Sequence, residues 1–156
     1  MRDLLFCRFC ADKEIPDKKL QFAVIVATYK EKMVFVKHKK RNTYEIPGGK
    51  RNGYNEKIEE CAKRELEEET GAITFNIEPI STYAIRKNRE GSSEYYGKLF
   101  YADITELGNL PDTEIGEVLL TDKTPENLTY PHIQPNILNK INDYRKSKNL
   151  EALKIL

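Results

Sequence analysis

Only three of the 156 residues are cysteine and only two are histidine. An odd cysteine count argues against a disulfide framework. Cys7 and Cys10 form a C-x-x-C pair, but zinc needs two further ligands at matching spacing. His38 and His132 do not supply that pattern, so the plain reading is two free thiols on an N-terminal strand. No apolar run reaches the length of a membrane span. Arg2 and Asp3 precede only a brief apolar stretch, residues 4–6, too short for a secretory signal. A soluble cytoplasmic protein is therefore expected. Charge of one sign is lacking too: 26 basic residues face 25 acidic ones, for a formal net charge of +1. That balance speaks against a stable nucleic-acid partner, although a phosphate-bearing substrate needs only local charge. Repeats, low-complexity tracts and linkers are absent, and the length suits one domain over residues 1–156.

What is present has clear periodicity. Residues 22–28 read FAVIVAT, a continuous apolar run expected of a strand buried on both faces. Glu31 and Lys32 suggest a turn, and residues 33–36 the paired strand. A basic cluster follows at His38, Lys39, Lys40 and Arg41. Residues 44–46 are extended and run into Pro47-Gly48-Gly49, which breaks regular structure. The clearest helix spans residues 56–70, with Asn55 as N-cap and Gly71 as its C-terminal stop. Residues 73–85 are extended, with Pro79 marking an edge or bend. Residues 86–93 form a hairpin loop, and residues 94–104 and 115–120 two further strands. A second helix is expected over residues 131–148, with Ile133, Ile137, Leu138, Ile141 and Tyr144 at helical spacing. The plan is α/β (α+β), a mixed β-sheet between helices.

The first helix carries the chemistry. At about 100° per residue, Ile58, Cys61 and Ala62 share one face with Glu65, Glu68 and Glu69. An apolar stripe thus turns into carboxylates. Like charges at i,i+3 and i,i+4 repel by about 0.2–0.5 kcal/mol each when exposed, and more when buried. The helix C-terminus also disfavours anions. Glu67 brings the count to four acids among the five residues 65–69. A divalent cation resolves the conflict, because grouped hard oxygen ligands suit Mg²⁺ or Mn²⁺. Pro47-Gly48-Gly49 offers a backbone free of side chains, from which the Gly48 carbonyl can reach the same ion. Arg64, four residues before Glu68, can orient a carboxylate or contact phosphate.

Gly49, Glu56 and the run 64–72, RELEEETGA, resemble the Nudix box, G-x5-E-x7-R-E-U-x-E-E-x-G-U. Two positions depart from it: six residues separate Gly49 from Glu56, and Ala72 stands at the last bulky position. The wider order of strands also resembles MutT-like Nudix proteins. The resemblance implies a Nudix-type α/β/α sandwich and Mg²⁺-dependent hydrolysis of a nucleoside diphosphate linked to another moiety. It implies Glu65, Glu68, Glu69 and Gly48 as metal ligands. Arg64 would orient Glu65 or Glu68, and Glu56 and Gly71 would support the motif. The general base stays open among Glu65, Glu94, Glu114 and Glu117, with Glu114 and Glu117 favoured. Lys40, Arg41, Glu114 and Glu117 are the substrate-binding candidates. A (deoxy)nucleoside triphosphate, ordinary or oxidised, is the leading substrate. ADP-ribose, a nucleotide sugar or an RNA 5′ end is the alternative, and a non-catalytic nucleotide-binding module is a reading from another class. A homodimer stays open.

Overall fold

The computed structural model describes residues 4–155; Arg2 and Asp3, part of the N-terminal stretch considered above, lie outside them. In chain order the elements are β1 (Leu5–Phe9), β2 (Leu20–Tyr29), β3 (Lys32–His38), β4 (Gly48–Lys50), α1 (Ile58–Thr70), β5 (Ala72–Lys87), β6 (Tyr95–Leu107), β7 (Ile115–Thr121) and α2 (Gln134–Ser147). The strands make one sheet in the order β1-β5-β6-β2-β3-β7, with β4 also on β2. Strands β2 and β6 run parallel; the other pairs are antiparallel.

The apolar run of β2 is continuous because both of its faces are covered. Ala23, Ile25 and Ala27 pack with Ile58, Ala62 and Leu66 of α1. Val26 packs on the opposite side with Ile137, Leu138 and Ile141 of α2. The result is the expected α/β/α sandwich with a mixed sheet. One edge of β2 is divided. Its N-terminal half pairs with β4, Ala23 opposite Gly49 and Val24 opposite Gly48. Only its end, Thr28 and Tyr29, pairs with β3. The sheet opens between β3 and β4, next to α1.

Several boundaries differ from the sequence expectation. The turn is Lys30-Glu31, one residue early, because Lys32 already pairs with Tyr29. Both turn residues have positive φ, 50° and 69°, as a two-residue I′-type hairpin requires. Helix α1 begins at Ile58, so Asn55 is not its N-cap. Lys57 holds that position without a side-chain cap, and Glu56 is drawn aside by other partners described below. Gly71 ends the helix in the left-handed region, φ 79°, as expected. Pro79 does not interrupt β5. It sits at a register irregularity against β6, outside the segment 83–87 that β1 covers, where a missing N–H is tolerated. Helix α2 starts at Gln134, after Ile133. Cys7 lies in β1 and is a free thiol, as is Cys10; burial pushes the Cys7 thiol up to about 11. Among the described residues, no helix is long and apolar enough to cross a membrane.

Leu66 is fully buried on the row of α1 that faces the sheet. Leu66→Ala is expected to cost about 2–5 kcal/mol in urea unfolding, whereas Glu67→Ala, on the exposed face, stays within about 0.5 kcal/mol.

Candidate active site

Three rows run along α1. Ile58, Ala62, Leu66 and Thr70 form the buried one, so the apolar stripe continues rather than turning wholly into carboxylates. Cys61, Glu65 and Glu69 form the next row, at the stripe's edge. Arg64 and Glu68 lie further out, and the Glu68 side chain is 49% exposed. The middle row lies against β4. The Gly48 N–H donates to Glu69 Oε1 at 2.8 Å. A Cβ on Gly49 would sit 2.3 Å from Glu65 Cδ and 2.4 Å from its Oε1. A Cβ on Gly48 would sit 2.5 Å from the Ala23 carbonyl oxygen. Both glycines are therefore steric requirements: one seats Glu65, the other lets β4 reach β2.

Arg64 ties the acids together. Its Nε and Nη2 donate to the two oxygens of Glu56, at 2.7 and 3.0 Å. Nη1 donates to Glu65 Oε1 at 2.9 Å and, at longer range, to Glu68 Oε2 at 3.4 Å. The bidentate guanidinium holds the Glu56 carboxyl down to about 2. Glu56 also accepts the Asn52 N–H at 2.9 Å, so it anchors the lengthened loop after Gly49. Arg51 ties the same loop to Asp17 at 3.0 Å. Between these anchors Gly53 takes φ 70° and Tyr54 projects into solvent.

Burial works against the charge on the middle row. It pushes the Glu69 carboxyl up to about 8, opposed by the Gly48 N–H and reinforced by Glu65, Glu45 and Glu114. It raises Glu65 as well, despite Arg64. His38 stands among these acids. Its Nε2 lies 3.3 Å from Glu45 and 3.7 Å from Glu69, and its Nδ1 lies 3.7 Å from Glu114. Sequence reasoning left His38 in a basic loop. Its place at the end of β3, paired with Ile115, brings it beside Glu114, and only that pairing identifies it.

Glu65, Glu68, Glu69, Gly48 and Gly49 share the wall of one pocket of about 560 Å³, to which His38 and Glu114 also contribute. Other sequence candidates sit elsewhere. Glu117 accepts the Tyr44 hydroxyl's hydrogen bond, Arg41 donates to Glu45 at 3.0 Å, and Lys40 is exposed on a turn. Glu94 is held by Arg8 at 2.8 Å. Among the described residues, no three carboxylate, imidazole or thiolate groups converge at ion-holding distance as they stand; Glu65 leans on Arg64 and Glu69 on Gly48. The donor set still fits a hard divalent cation: the carboxylates of Glu65, Glu68 and Glu69 line one pocket, and a glycine leaves room for that of Glu65.

The family model described as NUDIX domain matches residues 18–132. The chain belongs to the NUDIX family. No curated protein matches the sequence. Among solved structures it resembles the Bacillus subtilis pyrophosphohydrolase BsRppH, at 24% identity and TM-score 0.71 over 90% of each chain. It resembles the NUDIX domain of Shewanella oneidensis NrtR, complexed with ADP ribose, at 15% identity and TM-score 0.62, over 86% of this chain and 93% of that one. It also resembles an ADP-ribose pyrophosphatase from Streptococcus suis, at 13% identity and TM-score 0.59, over 86% of this chain and 97% of that one. At these identities the likeness establishes the fold alone. The NUDIX match contains every carboxylate of the pocket but leaves out β1 and α2.

Gly48→Ala pushes a methyl into backbone and is expected to cost about 1–3 kcal/mol of stability. Gly49→Ala displaces only the end of a flexible side chain. It is expected to stay within about 0.5 kcal/mol while a crystal structure of the variant shows the Glu65 carboxylate turned away. Glu69 binds its proton more tightly folded, near 8, than at its ordinary 4.5. Between those values the folded chain carries the extra proton, so stability in chelator falls as pH rises from about 4.5 to about 8. Urea titrations across that range are expected to show the decline, and Glu69→Gln to flatten it.

Proposed function

We propose that the chain is a Mg²⁺-dependent pyrophosphohydrolase, acting on a nucleoside diphosphate linked to another moiety. The leading substrate is a (deoxy)nucleoside triphosphate, ordinary or oxidised, cleaved to a monophosphate and pyrophosphate. The observation that carries this reading is the seating of Glu65 and Glu69 against Gly49 and Gly48, with Glu68 on the rim of the same pocket. Glu65, Glu68 and Glu69 would hold the cation, with the Gly48 carbonyl as a further ligand; Mn²⁺ takes the same donors. When bound, the cation supplies neutralisation of pyrophosphate charge and acidification of a water.

The chain's own groups do the rest. Hydrolysis forms one O–P bond from water and breaks one phosphoanhydride P–O bond, whose electron pair leaves with the departing phosphate. The water's proton needs an acceptor, and Glu114 faces the pocket from outside the helix. Arg64 fixes Glu65 through one contact and is itself fixed by Glu56. Such chemistry depends mainly on positioning and electrostatics. Free thiols at Cys7, Cys10 and Cys61 suit a reducing, cytoplasmic setting.

A second reading has its own support. A groove of about 740 Å³ has Arg41, Asn42, Thr129, Tyr130 and His132 in its walls, and it shares Tyr130 and Ile133 with a further cavity that Gly48 and Gly49 also line. It suits a longer substrate, such as ADP-ribose, a nucleotide sugar or an RNA 5′ end. The Streptococcus suis relative is named an ADP-ribose pyrophosphatase, and the Bacillus subtilis one a pyrophosphohydrolase. A non-catalytic module is disfavoured, because every box carboxylate is retained.

The test is a substrate panel with Mg²⁺: nucleoside triphosphates, ADP-ribose, nucleotide sugars and 5′-triphosphorylated RNA. Triphosphates are expected to turn over, with Glu68→Gln and Glu69→Gln each lowering kcat/KM at least about a hundredfold. Binding without turnover on every substrate would overturn the enzymatic reading. Undiminished activity in both variants would overturn the ligand assignment.

A further inference from the structure

Behind the Gly48–Gly49 strand lies a second cavity, of about 370 Å³. Leu5, Phe22, Val24, Ile46, Ile85 and Ile137 make its walls largely apolar. Tyr95 and Tyr130, both partly exposed, also line it. The size suits a small planar ligand. Gly48 and Gly49 line this cavity and the carboxylate pocket alike. A substrate with its phosphates at the carboxylates therefore has an apolar recess next to them.

Besides the tyrosine hydroxyls, a carboxylate and an amide interrupt that recess, Glu45 and Gln134. Glu45 is engaged already, by Arg41 at 3.0 Å and by His38 at 3.3 Å. Gln134, the first residue of α2, is not. It is only 4% exposed, and no protein group donates to its buried Oε1. Among the described residues this is the one buried side-chain nitrogen or oxygen without a partner. Such an acceptor weakens the fold, and an apolar side chain of similar length would pack there at lower cost. Packing does not explain a glutamine at this position; a ligand with a hydrogen-bond donor does.

We propose that Gln134 is the specificity residue for the substrate's base: its Oε1 accepts a hydrogen bond from an N–H of a purine or pyrimidine lodged in the cavity. The inference rests on the nucleotide reading above and adds the group that reads the nucleotide. Gln134 lies beyond the segment matched by the family model, which ends at residue 132. The reading head is thus supplied by a part of this chain outside the shared catalytic frame.

The test uses free nucleosides, which carry no phosphate, and the full chain in chelator. Adenosine, guanosine, cytidine and uridine are titrated beside purine riboside and 2-pyrimidinone riboside, two analogues without a base N–H. Affinity and the side-chain amide signal of Gln134 are followed by ¹H–¹⁵N NMR on labelled protein. At least one natural nucleoside is expected to bind and shift that signal, with its N–H-free analogue at least about tenfold weaker. Gln134→Met is expected to erase that difference by weakening the natural nucleoside, with Tm unchanged or raised. The proposal is overturned if no nucleoside binds, if the analogue binds as tightly, or if Gln134→Met leaves affinity intact. Nucleoside binding without any pyrophosphohydrolase activity would fault the hydrolase reading alone. Hydrolysis without nucleoside binding would fault this inference alone.

Discussion

The seating of one helix row on two glycines governs the rest of this molecule. Glu65 and Glu69 lie where α1 meets β4: Glu65 fits because residue 49 carries no side chain, and Glu69 accepts the Gly48 N–H. Gly48 lets β4 lie against the N-terminal half of β2, so β3 pairs with only the end of β2 on one edge and with β7 on the other. The opening between β3 and β4 is the pocket. The fold therefore presents two acids, Glu69 buried and Glu65 half-buried, to a cleft at the place where the sheet divides, and burial, with the neighbouring carboxylates, raises both.

A second layer keeps these acids in place. Arg64 spans Glu56, Glu65 and Glu68, and Glu56 closes the loop through Asn52. Arg51, itself buried, fixes the loop's base to Asp17 and Leu20. The loop between Gly49 and Glu56 is thus pinned at both ends, with Gly53 and Tyr54 turned outward between them. The other face of the sheet is built by different parts of the chain. Strand β1 and helix α2 wall the apolar cavity, so the carboxylate pocket and the recess beside it come from separate segments and meet at two residues.

Legibility in the sequence followed the range of the interaction. Strand β2 and helix α1 were readable because period and composition are local signals. Gly71 was readable because a left-handed C-terminal stop has a residue signature. The turn at Lys30-Glu31 lacked any such mark, since neither residue advertises positive φ. Glu56 was assigned to the helix because its pull toward Arg64 is a tertiary contact. The carboxylates were placed on the right side of α1, but Leu66 and Thr70 show that the apolar row continues beside them. His38 was readable only as part of a basic cluster and Arg51 not at all, because each acquires its contacts from strand pairing or packing. Among the distal acids, the register of β3 against β7 brought Glu114 to the pocket and left Glu117 with Tyr44.

The central claim is that the α1 carboxylates form a site for a divalent cation. The most direct measurement is Mn²⁺ titration followed by electron paramagnetic resonance, at a pH above 8 where Glu69 is ionised. The wild-type chain is expected to bind Mn²⁺ with competition by Mg²⁺, and Glu65→Gln and Glu69→Gln to bind at least about tenfold more weakly. Mn²⁺ binding of equal strength in the wild type and both variants would contradict the account.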